Sequence, residues 1–203
     1  MDLEVNEMSF EAVEKFEKNI ADWFGAPYAV AVDSCTHGIE LSLRLLQVEK
    51  IKVPTRTYIS IPFLAEKLKI TRQWVSHEWK DYYFLTDRIA DAAVLWKKNS
   101  YILNSLMSIS FQYQKHLSLG RGGMILTDNK EEAVTLKRMS YDGRTPNKPW
   151  RDQDIDTVGY HYYMTPETAQ TGLDKLPSAI ETTPRDWVLQ DWPDLTRMTV
   201  FKK

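Results

Sequence analysis

Short apolar runs alternate with segments of helical periodicity along most of this chain. Apolar residues recur at helical spacing over 10–24 and stop at Gly25, and the apolar run 28–32 follows. A second helical segment, with its apolar face over 39–46, leads to another short run at 51–53. Strands that alternate with helices bury a sheet between helical layers. The sequence therefore predicts an α/β fold, a three-layer α/β/α sandwich around a mostly parallel sheet.

The same reasoning predicts the remaining elements and two helix caps. Helices are expected over 61–68, 128–139 and 165–176, and strands over 70–75, 84–85, 89–91, 101–103, 107–111 and 124–127. Ser9 is a predicted N-cap of the first helix, and Asp128 with Glu131 resembles a capping box.

The C-terminal part of the chain is expected to be less regular. The polar segment 142–158 predicts a long loop, and Thr165 is the predicted N-cap of the last helix, which Pro177 is expected to end. The segment 177–203 has weak periodicity and is predicted to be an irregular tail. Its tryptophans, at 187 and 192, are expected to fill a core or a subunit interface.

Composition places the chain among ordinary globular proteins. Hydrophobic residues make up 43% of the 203 positions and charged residues 27%, and the formal net charge is −2. One domain spanning 1–203 is expected, with no sign of a nucleic-acid or membrane partner. Cys35 is the single cysteine, and the N-terminal residues lack the layout of a signal peptide. These features predict a cytoplasmic protein. The four histidines lack metal-ligand spacing, so no metal site is predicted.

Lys115 and Asp91 carry the strongest chemical signal. Lys115 follows the strand-like run that ends in Ser110-Phe111, and Asp91 ends another short apolar run. A lysine amine can condense with the aldehyde of pyridoxal phosphate (PLP), and a carboxylate can keep the pyridine nitrogen of that cofactor protonated. The pair therefore favours PLP chemistry.

Five sequence blocks in the same order extend this signal. They are 32–38, 53–58, 89–93, 110–124 and 158–165. In these blocks the chain resembles the DegT/DnrJ/StrS-type PLP-dependent sugar aminotransferases of the aspartate aminotransferase superfamily (fold type I). The resemblance implies the large domain of that fold. Family members are nearly twice as long, so the chain is expected to be a minimal version without the C-terminal small domain.

The resemblance also implies a role for each site residue. Lys115 would be the Schiff-base lysine and, once released, the acid and base of the reaction. Asp91 would face the pyridine nitrogen, and Tyr58 would stack on the pyridine ring.

Other residues would hold the cofactor phosphate. Ser34, Cys35 and Thr36 at a helix N-terminus, together with Ser110, would form its cradle, as expected for a helix dipole and free amides. His161 would reach the cofactor of a neighbouring subunit, which implies a homodimer with the site at the interface.

The chain departs from the family pattern at several positions. Cys35 replaces a glycine, Val94 a histidine or glutamine, Arg121 a glutamate, and Tyr163 an arginine. At Val94 a second contact to the cofactor is expected to be lost. The consequence of the charge reversal at Arg121 is left open.

The resulting functional prediction is transfer of an amino group from an amino acid, glutamate or glutamine, to a keto-sugar, and the family resemblance implies that this sugar is nucleotide-linked. Two alternatives stay open. One is a PLP-dependent sugar dehydratase, although in those relatives histidine replaces the lysine. The other is a non-catalytic dimer of the same fold that binds or regulates.

Overall fold

The computed structural model describes residues 10–202 of the chain. The predicted N-cap Ser9 lies outside the described residues. The first helix runs from Glu11 to Phe24, and Gly25 follows it in the left-handed conformation with φ 77°. The backbone N–H of Ala26 bonds the carbonyl oxygen of Ala21 at 2.9 Å. The helix end therefore follows the predicted glycine stop.

Five α-helices and seven strands make up the regular structure of residues 10–202. The helices are α1 (Glu11–Phe24), α2 (Cys35–Leu45), α3 (Ser60–Leu68), α4 (Lys130–Ser140) and α5 (Pro166–Glu181). The strands are β1 (Tyr28–Val32), β2 (Lys50–Pro54), β3 (Thr71–Val75), β4 (Tyr83–Phe84), β5 (Ile89–Asp91), β6 (Leu106–Ser110) and β7 (Gly123–Thr127). Short 3-10 helices lie at Trp150–Asp152, Leu189–Asp191, Leu195–Arg197 and Thr199–Phe201.

The sheet is mixed, which corrects the prediction of a mostly parallel one. Its strand order is β1-β7-β6-β5-β4, and β2 and β3 form a separate parallel pair. Strands β1, β6 and β5 point the same way, but β7 and β4 are antiparallel to their neighbours. The short connections 85–88 and 111–122 contain no crossover helix, and such connections join antiparallel strands.

Helices cover both faces of the sheet, as predicted for a three-layer sandwich. On β1, Val30 and Val32 face a core that also contains Ile39 of α2 and Leu136 of α4. The alternate residue Ala31 faces a second core, which α1 and α5 supply with residues that include Phe16 and Leu176. Successive side chains of a strand point to opposite faces, so one strand serves both cores.

Two local predictions are wrong. The segment 101–103 is irregular rather than a strand, and it leads into a turn at 103–104 where Leu103 is exposed. The N-cap of α4 is Asn129, whose side chain accepts the N–H groups of Glu131 and Glu132. Asp128 instead accepts the backbone N–H of Asn104, a tertiary contact that sequence spacing does not reveal.

Helix α5 continues past Pro177 to Glu181, whereas the sequence predicted its end before that proline. Proline removes one backbone N–H from the helix, which is costly in isolation. Tertiary contacts hold the turn that follows, because the indole N–H of Trp96 donates to the carbonyl oxygen of Ala179 at 2.9 Å. Nε2 of His116 lies 2.8 Å from the same oxygen. Across residues 10–202, the helices fall short of the length and apolarity that a membrane crossing needs.

The contact between α1 and α5 depends on the absence of a side chain at Gly172. A Cβ atom there would lie 2.6 Å from the ring of Phe16, which is fully buried. We expect Gly172→Val to lower the free energy of unfolding by about 2 kcal/mol, because extra volume in a packed core forces neighbours to move. Chemical denaturation measures the change. The exposed neighbour Thr171→Val is the matched control and should shift it by less than about 0.5 kcal/mol; equal effects of the two substitutions would contradict this account of the interface.

Candidate active site

A cavity of about 450 Å³ lies where strands that share one direction end. Strand β5 ends at Asp91 and β6 at Ser110, and helix α2 begins just after β1. The carboxyl ends of such strands form the usual crevice for ligands in α/β sheets. The cavity brings together all but one of the predicted site residues: Ser34, Cys35, Thr36, Tyr58, Asp91, Ser110 and Lys115.

Lys115 lies on a tight loop that is bonded to itself. Its backbone N–H donates to the carbonyl oxygen of Gln112 at 2.8 Å, and the N–H of Tyr113 donates to that of Gly120 at 3.0 Å. Burial lowers the pKa of the Lys115 amine, and Arg185 lowers it further, while Cys35 and Asp91 oppose the shift. A larger fraction of this amine is therefore neutral near pH 7 than for an ordinary lysine, which is what a nucleophile or base requires.

Asp91 is a buried carboxylate that lacks a cationic partner among the described residues. Its side chain accepts the backbone N–H of Ala93 at 3.0 Å and the hydroxyl of Tyr83 at 2.5 Å. Burial raises its pKa, whereas these two hydrogen bonds and Lys115 lower it. A buried carboxylate is costly without a cation, so the site favours a cationic group beside Asp91. Tyr83 is not among the residues predicted from the sequence, because only the sheet register brings it to Asp91.

The first turn of α2 provides an anion site next to these groups. Ser34 caps the helix, and its hydroxyl accepts an N–H of the first turn. The hydroxyls of Thr36 and Ser60 are 2.8 Å apart. Strand β7 begins against this turn, since a Cβ atom at Gly123 would collide with the backbone of Cys35. Burial raises the pKa of the Cys35 thiol well above its usual value, so the residue offers a neutral side chain there.

The charge reversal at Arg121 has a structural partner. Nη2 of Arg121 lies 2.7 Å from Oδ2 of Asp33, and Oδ1 of Asp33 lies 2.6 Å from Nδ1 of His37. The His37 ring stacks on Tyr162 at 3.6 Å. The Arg121–Asp33 ion pair links the glycine-rich segment to the start of α2.

Three further residues singled out in the sequence lie at the edge of the cavity or outside it. Tyr58 lies at the cavity with 55% of its surface exposed, and its stacking role stays a prediction. His161 lies outside the cavity, where Nδ1 is 3.1 Å from Oδ2 of Asp142 and 73% of the side chain is exposed. Tyr163 packs against Phe10 and Tyr141.

Residues 185–198, here called the C-terminal wall, line the cavity opposite α2. The sequence predicted only an irregular tail there. The ring centroid of Trp187 is 4.5 Å from Nζ of Lys115, and Trp187 stacks on Trp192 at 5.4 Å. Both tryptophans therefore pack within their own chain. The lining residues of the wall are Trp187, Asp191, Trp192, Pro193, Leu195 and Met198.

The C-terminal wall is bound to the loop that carries Tyr58. A guanidinium N–H of Arg56 donates to the carbonyl oxygen of Trp192 at 2.7 Å. The N–H of Leu195 donates to the carbonyl oxygen of Thr55 at 2.8 Å, and the Leu195 side chain is 1% exposed. The cluster of apolar residues at 187–198 is the sequence signal that could have indicated a buried role.

We expect Leu195→Ala to loosen this wall, because it removes the buried side chain that anchors it and large-to-small changes in cores cost about 2–5 kcal/mol. Hydrogen–deuterium exchange should show faster exchange at 186–198 and little change in the sheet. The exposed Val200→Ala is the matched control and should leave exchange at 186–198 as in the parent chain. Unchanged exchange in Leu195→Ala would contradict the anchoring role.

Known proteins share this architecture. An uncharacterized protein of Methanocaldococcus jannaschii is 25% identical over 224 residues, which cover 81% of this chain and 56% of that protein. The crystal structure of AtS13 from Actinomadura melliaura superposes with a TM-score of 0.71 at 20% identity, covering 84% of this chain and 60% of that one. The sugar aminotransferase CalS13 from Micromonospora echinospora gives 0.70 at 14% identity, with 84% and 61% covered.

The chain thus spans less than two thirds of the length of these relatives. The structural likenesses show the fold, which confirms the predicted PLP-dependent transferase (fold type I) architecture. The match at the level of sequence covers most of the chain and identifies a family. The model of the DegT/DnrJ/EryC1/StrS aminotransferase family matches residues 5–98 and 97–185, so this chain belongs to that family.

Proposed function

We propose that this chain is a PLP-dependent aminotransferase that moves an amino group from glutamate or glutamine to a keto-sugar, in nucleotide-linked form. One observation carries the proposal. A lysine amine with a lowered pKa, a buried carboxylate without a cation and a helix N-terminus meet in one cavity. These are the three groups that an aldehyde, a pyridinium and a phosphate require.

Bound in this cavity, PLP supplies an aldehyde that reacts with amines and a ring that accepts the electrons left when a carbon loses its proton. Lys115 would hold the cofactor through Nζ and, once an amino donor had displaced it, would act as the base. Its buried amine could take a proton from the donor Cα because its pKa is lowered. The same Nζ would then be the group that gives the proton back.

Asp91 and the start of α2 orient the cofactor. The Asp91 carboxylate would keep a proton on the ring nitrogen, since its negative charge would offset the cost of burying a cation. The phosphate would be bound by Ser34, Thr36, Ser110 and the backbone N–H of Cys35. The positive end of the α2 dipole adds to this attraction.

The wall at 185–198 and Tyr58 bound the part of the cavity that remains for substrate. Trp187 lies so close to Lys115 that any group reacting at Nζ also meets its ring. Aromatic and apolar side chains dominate this wall, which suits one face of a sugar ring more than a charged group.

A sugar dehydratase of the same fold is less well supported. In the resemblance described above, dehydratases have histidine in place of the lysine. Here Lys115 lines the cavity, and the neighbouring His116 faces the Ala179 carbonyl at the end of α5.

We also propose that residues 1–203 act as one domain and that two copies form a homodimer. His161 is exposed and is not among the residues that line its own cavity, which suits a contact with the partner's cofactor. The exposed apolar side chains of Trp150 and Val158 lie on the preceding loop and would be buried in such a dimer. Light scattering after size exclusion tests this, and an active monomer would refute it.

Absorbance spectroscopy of the PLP-loaded chain tests the function. We expect a visible band that shifts when glutamate or glutamine is added, and returns when an accepted keto-sugar follows. Lys115→Ala should abolish the donor-induced shift, since no amine remains to move the proton. Lys98→Ala, at an exposed site outside the cavity, is the control and should behave like the parent chain.

Two outcomes would change the conclusion. A band that no amino donor shifts favours the alternative of a non-catalytic binding module. Absence of any band in the parent chain rejects PLP binding and with it the proposed function.

A further inference from the structure

We infer that Tyr83 is a positioning residue for Asp91, and that Thr57 supports it, so that the hydroxyl chain Thr57–Tyr83–Asp91 holds the carboxylate ionised and aimed into the cavity. This inference rests on the proposed function for its consequence, which is the retention of a cationic ring nitrogen. The inference goes beyond the proposed function because it gives roles to Tyr83 and Thr57, two residues that the family resemblance does not assign to the cofactor.

The sheet register creates the contact. Strand β4 pairs antiparallel with β5, and Tyr83 stands directly opposite Asp91. Residues that face each other in an antiparallel pair project on the same side of the sheet. Both side chains are buried, at 3% and 4% exposure. Strand β4 is only two residues long, and its pairing with β5 places Tyr83 beside Asp91.

The hydroxyl groups form a chain with one consistent direction. The Tyr83 hydroxyl lies 2.5 Å from Oδ2 of Asp91, and Oγ1 of Thr57 lies 2.5 Å from the Tyr83 oxygen. An ionised Asp91 can only accept, so Tyr83 must donate to it. Tyr83 has then used its proton, and Thr57 must donate to Tyr83. Every proton in the chain points towards Asp91, which stabilises its negative charge.

Few other groups can stabilise the negative charge of Asp91. The titratable side chains that face Asp91 are Tyr83 from β4, Cys35 from α2 and Lys115 from the loop after β6. The Cys35 thiol is neutral, because burial raises its pKa. Lys115 is the group proposed to bond the cofactor, which removes its full charge from Asp91. The Ala93 N–H and the Tyr83 hydroxyl are then the donors left to the carboxylate within the described residues.

The surroundings keep the tyrosine in place. The Trp79 ring packs on the Tyr83 ring at 4.8 Å, and the indole N–H of Trp79 donates to the Arg56 carbonyl oxygen at 2.8 Å. Trp192 of the C-terminal wall lies 4.8 Å from Trp79 on the other side. The phenol therefore cannot swing away without repacking this aromatic cluster. The family resemblance implies that a polar contact is lost at Val94, and Tyr83 provides a polar contact from another strand.

The test compares Tyr83→Phe with Tyr82→Phe, an exposed neighbour that lies outside the cavity. Dissociation constants for PLP are measured by titration between pH 5 and pH 9. Loss of a hydrogen bond to a charged group should weaken binding by about 10-fold to 100-fold near the acid limit. Since burial raises the Asp91 pKa and the Tyr83 donor lowers it, removing the donor raises it further. The acid limb of the binding profile should therefore move up by about one pH unit. Tyr82→Phe should leave the profile in place.

Two additional variants separate positioning from packing. Thr57→Val should give a smaller shift in the same direction, and it keeps the test open if Tyr83→Phe does not fold. In an Asp91→Asn background, Tyr83→Phe should cost little further affinity, because the two residues act as a unit. An unmoved acid limb in Tyr83→Phe, or an equal loss in the Asp91→Asn background, overturns the inference.

A measurement on the cofactor-free chain distinguishes this inference from the proposed function. Carbon-13 NMR of labelled aspartates gives the Asp91 pKa directly, and Tyr83→Phe should raise it. If the parent chain fails to bind PLP while this shift occurs, the proposed function is wrong but the hydroxyl chain stands. If PLP binds and Asp91 titrates identically in both proteins, the function stands and the inference fails.

Discussion

The carboxyl ends of β1, β5 and β6 meet at one edge of the sheet, and the chemistry of the chain depends on this meeting. Each strand delivers a different group. Strand β1 leads into the capped start of α2, β5 ends in Asp91, and β6 leads into the loop that carries Lys115. The strands share a direction although their pairings are mixed, because β7 inserts between β1 and β6 in reverse.

Much of this arrangement follows from the sequence. Short apolar runs predicted most of the strands and helical periodicity most of the helices, and Gly25 and Thr165 marked helix ends that the structure contains. All of the predicted site residues except His161 lie around one cavity, as the order of the sequence motifs had suggested. Their individual roles remain predictions. Local sequence patterns could predict only those parts of the fold that depend on residues close together in the sequence.

The rest depended on contacts between distant positions. Strand direction in the sheet is set by connection length, which a propensity pattern does not contain. Pro177 continues a helix because Trp96 holds the turn beyond it. The wall at 185–198 lacks periodicity because single hydrogen bonds to the segment 55–56 and the buried Leu195 side chain hold it, rather than a regular apolar face. No sequence motif indicates Tyr83, because its contact with Asp91 comes from the register of a two-residue strand.

The central claim is that Lys115 carries PLP in this cavity. Borohydride reduction of the PLP-treated chain, followed by peptide mass mapping, tests it most directly, because reduction makes the bond between amine and cofactor permanent. The account predicts one stoichiometric label on the peptide that contains Lys115, lost in Lys115→Ala. A label spread over surface lysines, or concentrated at another site, would contradict it.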